Sequence, residues 1–517
     1  MNPAADESPQ SPRRSLIPAG AWAILALLAW AMGIISIIDR TPYGLQESAT
    51  RAVLLLWSIA DQVASPIVTM GIPDFRAVYL IPAGLLFSGS LLAAKLCTLL
   101  LVIALALGLY RWRARAGNTE AALLASGLLL LAPLTTASID HLLVGPFLIT
   151  TLLLGAWVDE AYRSARVRFG GLYFGQLLLC MAAVTLHPGG LALPAAIALG
   201  WLRSPPPEPA VPAMVPGSER VHVLGGLGLA TLIGLLLASG WLGITWLGSP
   251  LRALTQGLFA WQSESTSGDV LGLILGVLLL LGVALTLWLL RTQLAGDRLG
   301  LALALALLPA VFCADDSLAY LALVLLLYWG FALLLRVRLG QGGGFFGQRG
   351  LAFVLLLILS TVFLGSARGR YEQAQMGFAL SEQDEVIAAL AANVQKLPAV
   401  TLDAGPPADV HKASVGPRVA SQWPGRTMMA CRCSTLPLPP ASEDQALFLA
   451  NLKGLDYVVF DPKDPANRLL SRNFSIMNGA SAETLSLESG GVVLRLHAAE
   501  IARPEPLPPI TPGAIGG

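Results

Sequence analysis

The sequence predicts a polytopic α-helical membrane protein, with about 11 transmembrane helices and a small extracytoplasmic α/β C-terminal domain. Three observations predict it. Of the 517 residues, 55% are hydrophobic and 13% are charged, whereas a soluble domain carries about a quarter charged residues. The apolar residues gather into runs close to the roughly 20-residue length that a helix needs to cross a bilayer. Arginines collect in every second loop between those runs. This composition excludes a water-soluble enzyme, a disordered chain and a disulfide scaffold. With 33 Lys+Arg against 32 Asp+Glu, no basic surface points to nucleic acid as a partner.

The candidate spans are Ile17–Ile38, Ser90–Tyr110, Glu120–Ser138, Leu142–Val158, Leu172–Leu186, Gly189–Leu202, Val223–Trp246, Val270–Leu290, Leu299–Phe312, Leu318–Leu335 and Leu351–Leu364. Pro133, Pro146, Pro188 and Pro309 mark breaks or ends. Ala77–Ser88 is apolar but too short to span comfortably, so it is expected to lie in the interface or to re-enter. The first run is longer than the 7–15 residues of a signal-peptide core, so it reads as a span, although Ala29-Trp30-Ala31 has the form of a cleavage site.

Arg13, Arg14, Arg111, Arg113, Arg115, Arg163, Arg166, Arg168, Arg203, Arg220, Arg291, Arg298, Arg336, Arg338 and Arg349 fall in one set of loops. The opposite set holds Arg40, Arg51, Arg76 and Arg252. The positive-inside bias therefore makes residues 1–16 a cytoplasmic tail, and an odd number of spans puts the C-terminal region outside. The transmembrane domain covers 17–367. It contains a long first external loop, 39–76, and a Pro-rich cytoplasmic linker, 204–217, read as a tolerated loop in preference to a rigid spacer.

From about residue 368 the composition turns mixed. Glu382–Val394 has Val386, Leu390 and Val394 on one helical face. Ala399–Leu402, Tyr457–Phe460 and Val492–Leu496 have strand character. A soluble α/β domain is expected over 368–503, followed by a disordered Pro-rich tail, 504–517. Cys97, Cys180 and Cys313 lie in apolar runs as small buried hydrophobes. Cys431 and Cys433 stand one residue apart, so a bond between them is strained, yet an oxidising compartment leaves it open.

External charges are few, which makes each a candidate. The first external loop opens on Asp39-Arg40. Gln46–Val63 follows as an amphipathic helix, with Val53, Leu54, Leu56, Trp57 and Ala60 apolar, expected to lie on the membrane surface. Pro73-Asp74-Phe75-Arg76-Ala77-Val78-Tyr79 then leads into the apolar stretch. Asp140-His141 and His187-Pro188-Gly189 sit in short external turns, where they also read as ordinary cap and turn residues. Glu264 lies in the external loop that also carries Arg252 and Trp261. Asp315-Asp316 reads as a solvated cap, because a metal there needs ligands from other loops. Gly340-Gln341-Gly342-Gly343-Gly344 lacks the preceding strand and the Lys-Ser/Thr of a phosphate loop.

The order of these features resembles the GT-C glycosyltransferases, in the branch of the dolichyl-phosphate-mannose protein mannosyltransferases and aminoarabinose transferases. The resemblance rests on Asp39 at the outer end of the first span, the long loop with its interfacial helix, and Arg76 ahead of Tyr79. It extends through Ala94-Lys95-Leu96 entering a span, Tyr110-Arg111-Trp112-Arg113 leaving it, and Asp140-His141 in the second external loop. Leu452-Lys453-Gly454-Leu455-Asp456-Tyr457-Val458-Val459-Phe460-Asp461 resembles a strand of the extracytoplasmic domains of bacterial members. The resemblance implies sugar transfer from a polyprenyl-phosphate donor, embedded among membrane lipids, to a lipid, glycan or protein acceptor at the outer surface. It implies Asp39 as the catalytic base, Arg76 ahead of Tyr79 near the donor phosphate, and Asp140-His141 at a position where the family often has an acid. The residues themselves add Arg40 and Arg252 as further outside cations for the phosphate, Glu47 as a substitute acid on the following helix, and Tyr79, Asp140, His141, His187 and Glu264 as candidates for the cleft or the acceptor. No cofactor is assigned, and a divalent metal is left open. One departure stands out: the family commonly has a second acid after the first, and here Arg40 occupies that position. An inactive GT-C-like scaffold is therefore one alternative reading. A flippase for a lipid-linked precursor is another, disfavoured because the spans hold almost no ionisable residue beyond Lys95.

Overall fold

The structure is a computed structural model. It describes residues 43, 45, 47–59, 75–87, 90–116, 119–164, 170–203, 218–237, 281–291, 296–311, 313, 317–330, 382–395, 417–431, 433–464, 467–476, 482–486 and 492–496. The expected spans Ile17–Ile38 and Leu351–Leu364, the strand Ala399–Leu402, the linker 204–217 and the tail 504–517 lie outside the described residues.

The chain enters with α1 (Glu47–Ile59) and α2 (Arg76–Phe87), followed by the long helix α3 (Leu91–Ala114). Ser90 caps α3 by accepting the Ala93 N–H, which satisfies one of the donors a helix start leaves open. Next come α4 (Thr119–Leu131) and α5 (Pro133–His141), bent by 49° at their junction. Pro133 has no N–H to continue the ladder, and Thr135 Oγ1 donates instead to the freed Leu129 carbonyl at 2.6 Å. The expected span Glu120–Ser138 is thus divided between two helices that meet at this bend. Then follow α6 (Val144–Ser164), α7 (Gly171–Leu186), a 3-10 turn (Pro188–Leu191) and α8 (Ala192–Arg203). After them come α9 (Ser218–Leu237), α10 (Leu281–Arg291), α11 (Arg298–Ala310) and α12 (Ser317–Leu325), the last ending in a π turn, Leu326–Gly330.

Among the described residues, three helices are long and apolar enough to cross a membrane, or four if the bent pair is one span. One continuous apolar core runs from Leu45 through α12. Outside it, Leu85, Leu86, Leu100, Phe174 and Leu236 are each more than half exposed. Large leucines and phenylalanines facing outward around a bundle are at home in lipid and not in water. Gly190 permits the closest approach inside: a Cβ there would lie 1.8 Å from the Ala183 carbonyl oxygen.

Residues 382–496 contain a five-stranded sheet between helices. Its strands are β1 (Arg418–Ser421), β2 (Ser434–Pro437), β3 (Tyr457–Phe460), β4 (Ala482–Ser486) and β5 (Val492–Leu496), in the order β2-β1-β3-β5-β4. β1 is parallel to β2 and β3, and β5 is antiparallel to β3 and β4. The period-2 alternation of a strand sends Val458 and Phe460 to one face, onto Phe448 of α15 (Gln445–Leu452) and Phe474 of α16 (Arg468–Ile476). It sends Tyr457 and Val459 to the other, onto Val386 and Leu390 of α13 (Glu382–Gln395). A sheet covered on both faces needs near-continuous apolar strands, and β3 is buried at all four positions. Gly454, at φ +83°, makes the left-handed turn between α15 and β3 that only glycine adopts without strain. α14 (Pro424–Cys431) connects β1 to β2, and Cys431 is disulfide-bonded to Cys433.

The helix expected on the membrane surface is instead sheathed by protein. α1 packs against α2 and α14, and Ala49, Thr50, Ala52, Val53, Leu54 and Leu56 are all buried. Burial reaches around most of the helix because two partners, one from the bundle and one from the C-terminal part, cover different faces. Gly84 of α2 lies against Leu56, close enough that a Cβ would come within 3.2 Å.

Candidate functional site

Two groups of buried charges lie at opposite ends of the bundle. The first is built where α3 and α6 begin and α5 ends. Lys95, in the second turn of α3, is 2% exposed and donates from Nζ to Asp140 Oδ1 at 2.8 Å. Asp140 comes from the last turn of α5, so the bend at Pro133 delivers the carboxylate to the lysine. His141 Nε2 stands 3.8 Å from the other oxygen, Oδ2. Leu142 follows in the left-handed conformation, φ 52°. Its carbonyl accepts Arg76 Nη1 at 2.6 Å, and Arg76 is 1% exposed. Arg76, Lys95 and Asp140 are thereby gathered around one chain turn. A buried charge is tolerated when paired and hydrogen-bonded, and two cations here share the neighbourhood of one carboxylate and one carbonyl.

Tyr79, one turn after Arg76, bonds through its hydroxyl to Thr151 Oγ1 at 2.6 Å and packs edge-on to Phe147. It fixes α2 against α6. His187 is buried: its Nδ1 accepts the Gly189 N–H at 2.9 Å, and its Nε2 lies 3.0 Å from Ser317 Oγ. The first of these bonds makes Nδ1 the unprotonated nitrogen, so Nε2–H is the tautomer that donates to Ser317.

Glu47 is engaged elsewhere. Its carboxylate accepts the backbone N–H groups of Gly425 and Arg426, at 2.5 and 3.3 Å, in the first turn of α14. Arg426 continues the chain of contacts to Asp384 on α13 at 3.2 Å. Burial pushes the Glu47 carboxyl above the usual range, against the opposing pull of those N–H groups and of Arg426 and Arg51. Glu47 therefore ties α1 to the C-terminal sheet region. Asp39, Arg40, Arg252 and Glu264 lie outside the described residues.

The second group lies at the arginine-rich end. Asp159 of α6 is fully buried and accepts from Gln176 Nε2 and Trp201 Nε1, each at 3.1 Å, and from Arg163 and Arg298. Asp297 caps α11 by accepting the Gly300 N–H, and takes the indole N–H groups of Trp112 at 3.0 Å and Trp329 at 2.8 Å, with Arg113 at 3.3 Å. These nodes cross-brace α3, α6, α7, α8, α11 and α12.

Asp140 and Arg76 are site candidates in the sequence, and Lys95 is the companion that their positions do not announce. The signal was present: Lys95 is the sole lysine in the first 395 residues, where the other fixed cations are arginines. Ser317, the partner of His187, carries no comparable signal, since a serine at a helix start is ordinary. The described residues do not furnish a metal site, because no group of three or more His, Cys, Asp or Glu side chains converges among them.

The elements define a polytopic helical membrane bundle with a covered α/β sheet and a buried charge cluster at one end. That architecture has solved counterparts. The oligosaccharyltransferase of Archaeoglobus fulgidus, solved with a tethered acceptor peptide containing an NVT sequon, aligns over 94% of this chain and 75% of its own length, with TM-score 0.53 and 12% identity. ArnT of Cupriavidus metallidurans, solved bound to undecaprenyl phosphate, aligns over 94% of this chain and 100% of its own, with TM-score 0.50 and 15% identity. No family model matches the sequence, and no curated protein matches it. The fold is that of the GT-C membrane glycosyltransferases.

Proposed function

We propose that the chain is a membrane glycosyltransferase, moving a sugar from a polyprenyl-phosphate donor to a lipid, glycan or protein acceptor on the extracytoplasmic side. The observation that carries this reading is the buried Arg76–Lys95–Asp140 cluster, at the end of a GT-C bundle remote from the arginine-rich end. Undecaprenyl phosphate in the ArnT structure supports a carrier of the same chemistry here.

In this reading the acceptor hydroxyl attacks the anomeric carbon as the bond to the phosphate oxygen breaks. The hydroxyl proton passes to a carboxylate, for which Asp39 at the outer end of the first span is the candidate. The departing lipid phosphate gains negative charge, which Arg76 and Lys95 offset in a water-poor setting. Asp140 holds the Lys95 ammonium in place and is a positioning residue. Tyr79 anchors α2 and so orients Arg76. His187 with Ser317, and His141, border the same end of the bundle. Arg40 and Arg252 remain candidates for phosphate contact, and Glu264 for acceptor contact. Glu47 acts through α14, holding the C-terminal region over the first external loop. The domain limits 17–367 and 368–503 belong to the same proposal, as do inner-membrane localisation and the orientation with residues 1–16 inside.

Arg40 directly after Asp39 favours one second reading, a GT-C scaffold without turnover. Proteoliposomes given undecaprenyl-phosphate-linked sugars discriminate the two. Release of undecaprenyl phosphate, abolished by Asp39→Asn, supports the enzyme. No release from any donor, with the purified chain folded, supports the scaffold.

A further inference from the structure

In the C-terminal sheet, β1 lies between β2 and β3 and is parallel to both. The connection from β1 to β2 runs through α14, whose Cys431 joins the apolar cluster on the Val459 face. The connection from β2 to β3 runs through α15, whose Phe448 joins the cluster on the Phe460 face. After β3 the chain enters α16 on that same second face, through Phe474. The chain therefore leaves the carboxyl ends of β1 and β3 toward opposite faces. Open α/β sheets bind ligands outside such a switch point, and anions sit there on the first turn of the following helix.

The first turn of α14 is filled from outside itself. Pro424 has no N–H, and Trp423 before it has no side-chain oxygen with which to cap the helix. Ser421 Oγ is engaged with the Trp423 N–H and with Thr427 Oγ1. The Gly425 and Arg426 N–H groups donate instead to Glu47, a carboxylate brought in by α1. A Cβ on Gly425 would come within 2.7 Å of Glu47 Oε1, so the glycine leaves the room that the carboxylate takes. The Arg426 and Arg51 guanidiniums favour the anion, while burial works against it and holds the carboxyl above its usual range. The ionised occupant is thus held less firmly than its hydrogen bonds alone would hold it. Arg426 Nε–H is buried without an acceptor among the described residues, so the two oxygens of Glu47 do not meet every donor of this turn.

We propose that the first turn of α14 is an oxyanion-binding site, that Glu47 is its tethered occupant, and that a free carboxylate or phosphate competes with Glu47 and loosens the C-terminal region from α1. The site does not depend on the transferase reading.

The test times proteolytic release of the C-terminal region from full-length protein in detergent, with acetate, phosphate or chloride at matched ionic strength. Glu47→Ala empties the seat and should speed release. Acetate or phosphate, and not chloride, should then slow release about fivefold and saturably, because the anion occupies the emptied seat with Arg51 also facing it. Glu47→Gln, which fills the seat with a neutral amide, should show no such recovery. Wild type should respond with the opposite sign, releasing about twofold faster, because the free anion displaces Glu47. General stabilisation by phosphate acts on all three proteins in one direction and does not produce opposite signs. Recovery of Glu47→Ala by acetate alone assigns the seat to carboxylates, and by phosphate alone to phosphates; either supports the site. Should Glu47→Ala not fold, wild type decides: faster release with acetate or phosphate than with chloride supports the exchange, and unchanged release overturns it. Equal responses of the three proteins to all three salts overturn the site itself.

Discussion

Removing one partner of the Lys95–Asp140 pair separates folding from chemistry. The two atoms are 2.8 Å apart and their side chains are 2% and 8% exposed. Water cannot re-solvate whichever charge is left, so Lys95→Met or Asp140→Leu alone should cost about 3–5 kcal/mol. The double variant Lys95→Met/Asp140→Leu removes both charges and fills the space with apolar atoms, which is commonly neutral or stabilising. Thermal unfolding in detergent, followed by tryptophan fluorescence, should show each single variant several degrees below wild type and the double variant restored. The same double variant should remain inactive in sugar transfer, because the cation proposed to offset the leaving phosphate is gone. Single variants as stable as wild type would show that the pair is solvated. A stable double variant with full activity would remove Lys95 from the mechanism.

Three further outcomes follow from other contacts. The Glu47 carboxyl is raised above 4.5 by burial, so its contribution to stability is full below about pH 4.5 and is lost as pH rises through the raised value; the Tm of wild type minus that of Glu47→Gln should fall from pH 4 to pH 7, and a rise would contradict the assignment. A Cβ on Gly425 would lie 1.9 Å from Thr50 Oγ1, so Gly425→Ala should cost about 1–3 kcal/mol and speed proteolytic release of the C-terminal region, with partial rescue by Thr50→Ala. Asp159→Ala leaves Arg163 and Arg298 without their carboxylate, and a loss of about 3–5 kcal/mol should appear as a lower Tm and lower yield.

The bundle was legible because lipid imposes length and apolarity on every span, and arginine distribution imposes alternation. Ser90–Tyr110, Leu142–Val158 and Leu172–Leu186 each fall within or close to an observed helix. The helices run past the apolar runs into Arg113 and Arg163, whose heads reach Asp297 and Asp159. Glu382–Val394, Tyr457–Phe460 and Val492–Leu496 were read from their periodicity and form α13, β3 and β5. β1, β2 and β4 were not, since Arg418–Ser421 and Ser434–Pro437 are four residues each and Ala482–Ser486 has mixed polarity. At the site, Asp140 and Arg76 stood out as charges in the arginine-poor set of loops. Their convergence through Leu142 did not, because it depends on the bend at Pro133 and a left-handed turn at a leucine, neither of which spacing encodes. Glu47 stood out as a spare acid near Asp39, and only the docked position of α14 reveals its partners.

The most direct measurement of the central claim is the lipid that Asp39→Asn carries through purification, read by native mass spectrometry against wild type. Loss of the base should stop turnover and leave donor binding intact. A glycosylated polyprenyl phosphate should be enriched in the variant, its mass naming the sugar. Identical lipid content in both proteins, with no glycosylated carrier in either, would contradict it.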